Sequence, residues 1–90
     1  MLIQVTISGA VGKQVYPTTK QINLRKIFLT PSAVNATVKI RDGNASGEVV
    51  FFGRAHTSGG TKDWEVEHKF TKGMHVKVIG TLAEAYLDIS

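Results

Sequence analysis

Ninety residues, 42% hydrophobic and 20% charged, describe one globular domain spanning 1–90 and exclude a disordered chain. The absence of cysteine excludes disulfide staples, zinc knuckles and thiol nucleophiles, so a chain this short is expected to gain stability by association. A formal charge of +4 favours acidic partner surfaces. No run approaches the roughly 18 apolar residues of a membrane helix, and the N-terminus lacks a secretory pattern, so an intracellular product is expected.

Alternation of apolar and polar residues is the dominant signal. Leu2 to Ile7 opens it, with Ile3, Val5 and Ile7 on one face. Gly9 and Gly12 then mark a turn within Ser8 to Gly12. Lys13 to Pro17 reads as a short edge piece, because Pro17 cannot donate to a central ladder. Gln21 to Thr30 carries Ile22, Leu24, Ile27, Phe28 and Leu29, and its phase slips near Arg25–Lys26, which predicts a bulge or two-sided burial.

Asn35 to Arg41 alternates cleanly, with Ala36, Val38 and Ile40 opposite Thr37, Lys39 and Arg41. Asp42 to Gly47 is a turn cluster. Glu48 to Ala55 is the most apolar strand. Val49 and Phe51 fall on one face and Val50 and Phe52 on the other, as expected of a central strand or of one covered by a partner. After the polar connection His56 to Asp63, Trp64, Val66, His68 and Phe70 alternate with Glu65, Glu67 and Lys69. Thr71–Gly73 turns the chain. Met74, Val76 and Val78 face inward with His75 and Lys77 outward. Gly80–Thr81 turns again, and Ala83, Ala85, Leu87 and Ile89 line the last inner face. About seven antiparallel strands at this spacing predict an all-β protein, a small β-sandwich of jelly-roll or immunoglobulin-like type.

Catalytic chemistry finds little support. His56, His68 and His75 match no zinc spacing, and a partly buried, hydrogen-bonded His68 is the simpler reading. Glu65 and Glu67 stand roughly 7 Å apart on one strand face, a spacing within reach of a glycosidase pair. A single outer face offers no cleft, however, so they read as solvated partners of Lys69, Lys77 or Lys39. Gly9 to Lys13 lacks the spacing of a phosphate loop, and Ser58–Gly60 lacks a hydrolase elbow. Asn35–Thr37 and Asn44–Ser46 match the glycosylation triplet but suit strand ends and turns. No catalytic residue, metal site or cofactor is assigned; the chain is expected to bind or build rather than catalyse.

Two binding readings remain. An oligonucleotide-binding barrel would use Tyr16, Phe51, Phe52, Trp64 and Tyr86 with Lys39, Arg41, Arg54 and Lys77. Against it, four of the five aromatics sit in apolar alternation that reads as core, and the bases are interleaved with Glu65 and Glu67 rather than gathered along one stripe. A host-surface or carbohydrate-binding module would use the loop from His56 to Asp63 beside Trp64, with His56 and Trp64 as contacts.

The segments Val38–Gly43, Ser46–Val50, His68–Gly80 and Ala85–Ile89 together resemble the small β-sandwich structural proteins of tailed bacteriophages that decorate or cement capsids. The resemblance covers roughly residues 35 to 90. It implies a non-enzymatic virion protein on the capsid surface, assembled in the host cytoplasm, with itself (as a homotrimer) and the major capsid protein as partners, and no membrane. Contact is expected at Val50 and Phe52 with Arg54, and secondarily at Ile3 and Val5 of the first strand.

Overall fold

The computed structural model describes residues 1–5, 12–32, 34–80 and 83–90. Among the described residues eight strands are formed: β1 (Leu2–Val5), β2 (Lys13–Tyr16), β3 (Ile22–Thr30), β4 (Ala36–Asp42), β5 (Val49–Ala55), β6 (Lys62–Phe70), β7 (Met74–Ile79) and β8 (Glu84–Ile89). A 3-10 turn, Thr57–Gly59, precedes β6. The strands build two four-stranded antiparallel sheets, the first in the order β1-β8-β3-β6 and the second β2-β7-β4-β5. The protein is a β-sandwich.

The order also decides between the two expected types. β1 pairs with β8, β2 with β7, β3 with β6 and β4 with β5, all antiparallel. This is an antiparallel ribbon rolled into two sheets, the jelly-roll arrangement rather than the immunoglobulin one. Only β4 and β5 are consecutive strands in one sheet; every other connection crosses the sandwich. Two sheets of four also differ from a five-stranded oligonucleotide-binding barrel.

Alternation supplies the core. Leu24, Ile27, Leu29, Phe70 and Leu87 from the first sheet meet Val38, Ile40, Met74, Val76 and Val78 from the second, all without solvent exposure. The phase slip in β3 is a bulge. Between the position of Leu24 and that of Ile27, β8 advances two residues (Ile89 to Leu87), β3 three, and β6 four (His68 to Trp64). Each strand outward carries one residue more, so the sheet fans towards its β6 edge. The extra residues let Leu24 and Ile27 both face inward despite their odd spacing. On β6 the irregularity leaves Glu67 at φ 47°.

Several expectations are corrected. β5 is an edge strand, not a central one. A bulge at Val50, where Ile40 faces Phe51 but Arg41 faces Val49, breaks the expected face pairs. Phe51 and Val50 pack against the core, while Val49 and Phe52 lie exposed. His75, on the outward phase, is nevertheless buried. The polar connection ends earlier than expected, since β6 begins at Lys62. Ile7, the turn Ser8–Val11 and most of the Gly9–Lys13 segment lie outside the described residues, as does Thr81.

Candidate docking face

The outer face of the second sheet gathers one chemistry. In β4 the inward run Ala36, Val38, Ile40 leaves Thr37, Lys39 and Arg41 outside; in β7 the run Met74, Val76, Val78 leaves His75, Lys77 and Ile79 outside. Beyond its bulge, β5 sends Gly53 and Ala55 inward and Phe52 and Arg54 outward.

Register sets these side chains in three rows. Gln14, His75, Arg41 and Val49 are neighbours across the sheet, then Lys77, Lys39 and Phe52, then Ile79, Thr37 and Arg54. The rows hold Lys39, Arg41, Arg54 and Lys77 and no acid. Among them stand three exposed apolar side chains, Phe52 (52% exposed), Ile79 and Val49.

Local contacts hold the face in shape. The Lys39 ammonium lies 5.6 Å from the centroid of the Phe52 ring, a cation–π placement that keeps charge and ring together. Arg41 Nη1 donates to the Gly47 carbonyl at 2.8 Å, tying the face to the β4–β5 turn. His75 sits between Arg41 and Lys77. Burial, then the charges of Arg41 and Lys77, hold its pKa below the ordinary histidine value, and its Nδ1 has no hydrogen-bond partner among the described residues.

This grouping overturns the argument from interleaving. Lys39, Arg41, Arg54 and Lys77 alternate with Glu65 and Glu67 only along the chain; in space the two acids belong to β6 on the other sheet. Glu65 faces Lys26 across β3, and neither Lys39 nor Lys77 is a strand neighbour of β6.

The other expected contact residues are dispersed. Val5 is buried in the chain's own core and Ile3 packs against it, so the first strand presents Leu2 and Gln4 instead. Val50 turns to the core as well. Only Phe52 and Arg54 of the expected set share the outer face. Trp64 is half-buried, its ring 5.2 Å from that of Phe51. His56 is exposed, and its carbonyl accepts from Gly59 in the 3-10 turn.

Some of the other polar groups brace the fold. His68 Nε2 lies 3.4 Å from Asp42 Oδ2, joining the two sheets at one end. Asn44 Oδ1 accepts from the Ser46 amide and Asn35 Oδ1 from the Thr57 amide, so both triplet asparagines brace turns. A hollow of about 700 Å³ beside Asp42 and Glu48 is lined also by Thr18, Asn44, Thr71 and Lys72. Among the described residues no three His, Asp or Glu converge as metal ligands, and no helix is long and apolar enough to cross a membrane.

No protein-family model matches the chain, and no curated protein matches it.

Proposed function

We propose that this chain is a non-enzymatic structural protein of a tailed-phage virion, a capsid decoration or cement protein that acts as several copies on the head. The observation that carries the reading is the acid-free outer face of the second sheet, where Lys39, Arg41, Arg54 and Lys77 surround exposed Phe52. Jelly rolls occur in viral capsid proteins and lectins alike, so the fold alone does not choose a function. The face does more. Exposed apolar side chains among cations suit a flat, acidic protein surface, with apolar burial for affinity and charge for orientation. Repetition on a lattice multiplies a weak contact.

A second reading has its own support, because an aromatic ring beside Lys39 on a basic sheet face is also how single-stranded nucleic acid is held. Sedimentation of the protein with expanded phage heads lacking it separates the two. The virion reading expects pelleting with heads and loss of pelleting in Lys39→Glu/Lys77→Glu. A protein that ignores heads but retards single-stranded DNA, with affinity falling steeply as salt rises, overturns it for the second reading.

A further inference from the structure

The outer face of the first sheet has an acidic part, with Lys69 beside Asn23 and exposed Arg25 at its other end. Leu2, Asp88, Lys26 and Glu65 are neighbours across it in one row, and Gln4, Tyr86, Phe28 and Asp63 in the next, with Glu84 beside Thr30 beyond. These rows set Asp63, Glu65, Glu84 and Asp88 against two cations, Lys26, which lies 3.3 Å from Asp63, and the Met1 ammonium, which lies 3.4 Å from Asp88. At their centre lies an open, apolar hollow of about 280 Å³, lined by Leu2, Phe28, Thr30, Thr61 and Tyr86. Leu2 is 57% exposed there. One side of the sandwich thus carries an exposed ring among cations, and the other an apolar hollow beside acids, with the Lys26 ammonium 5.3 Å from the centroid of the Phe28 ring.

We infer that these two faces bind each other between copies: Phe52 of one chain enters the Leu2–Phe28–Tyr86 hollow of the next, with Lys39, Lys77 and Arg54 over the acidic rows. This rests on reading the second sheet's outer face as a docking surface, and it names the occupant as a second copy, the face of the end copy alone being left for the head. The contact joins unlike surfaces, so it is heterologous. Because the two faces lie on opposite sides of one sandwich, repetition produces a row or a wide ring, not a paired dimer. A molecule with extents of 37 × 24 × 18 Å presents enough face to cover the roughly 800 Å² per partner that a stable interface takes.

Analytical ultracentrifugation of the full chain and two variants tests this. Phe52→Asp removes the ring and Leu2→Asp puts a charge in the hollow; both positions are exposed, and unchanged melting of each confirms that the fold is kept. The native chain is expected to grow beyond dimer with concentration and to shrink as salt rises. Each variant alone stays monomeric, and their mixture forms a one-to-one pair, since each supplies the face the other lacks. A native chain that remains monomeric at high concentration overturns the inference, as does a Leu2→Asp chain that associates like the native one. Head pelleting is scored separately: a monomer that still pellets with heads defeats only the stacking, and a chain that stacks but ignores heads defeats only the virion reading.

Discussion

The rings of Phe51 and Trp64 meet with centroids 5.2 Å apart and planes inclined at 59°, and this pair closes the side of the sandwich where β5 and β6 are both edge strands. The tilted geometry is one that aromatic quadrupoles favour. It needs a floor without a side chain. A Cβ at Gly53 would stand 2.8 Å from Trp64 Cη2 and from Phe51 Cε2.

Gly53→Ala therefore sets two effects against each other. Alanine in a strand gains about 0.5–1 kcal/mol over glycine, whereas overpacking a filled site costs about 1–3 kcal/mol. Two bulky rings wedged between sheets cannot both retreat, so the clash prevails. The variant is expected to unfold at lower urea concentration, with red-shifted Trp64 emission before unfolding. An unchanged midpoint and spectrum would show that the rings have room to move.

What could be read in the residues was whatever depends on near neighbours. The inward sets Ala36–Val38–Ile40 and Met74–Val76–Val78 lie where alternation puts them, Pro17 follows an edge strand, and the slip at Arg25–Lys26 is a bulge. What could not be read depends on crossings between sheets. β5 looked central because Val49 to Phe52 is apolar throughout, yet the Val50 bulge turns part of that run outward at an edge. The docking face was hidden in the same way. Its cations and the β6 acids alternate along the chain, and only the jelly-roll crossing sends them to opposite sheets. His75 obeys its outward phase, but Gly12 closes over it so tightly that a Cβ there would lie 2.7 Å from the ring.

The pair of Asp42 and His68 is expected to matter little. Both side chains are about one-third exposed, at 31% and 35%, with 3.4 Å between them; ion pairs this open are worth about 0–1 kcal/mol. The His68 ring also stands edge-on to Phe70, with centroids 4.5 Å apart, a contact worth about 0.5–1.5 kcal/mol. His68→Phe, which keeps a ring and loses the pair, should cost less than His68→Ala, which loses both. Urea titration of the two variants ranks the effects; equal losses would assign the stabilisation to the pair.

Gly73 is expected to be far less tolerant. Its φ of +82° lies in the left-handed region, at a cost of roughly 1–2 kcal/mol for any residue with a Cβ. That Cβ would also fall 2.3 Å from the Pro17 carbonyl oxygen, a backbone atom that cannot rotate away. The Gly73 amide donates to the Lys20 carbonyl at 2.9 Å, and its own carbonyl accepts from Gly43 at 3.1 Å, so moving it disturbs two turns. Gly73→Ala should destabilise by about 2–4 kcal/mol in total, the strain and the displacement adding. A loss under about 1 kcal/mol would show that the turn can shift.

The buried His75 makes stability depend on pH in a window whose direction is set by its neighbours. Burial first, then Arg41 and Lys77, disfavour the imidazolium, so the folded pKa lies below the ordinary 6.5. Gln14, facing it from β2, carries no charge to offset them. As pH falls through about 6.5, the unfolded chain takes up this proton before the folded one. The unfolded state then binds more protons, and stability declines until the folded pKa is reached. Above 6.5 both states are neutral and the group has no effect. Thermal melting between pH 7.5 and 5 should therefore show a steeper loss for the native chain than for His75→Phe, because carboxylate titration is common to both. Parallel curves would mean that the ring can rotate to solvent and protonate without leaving the fold.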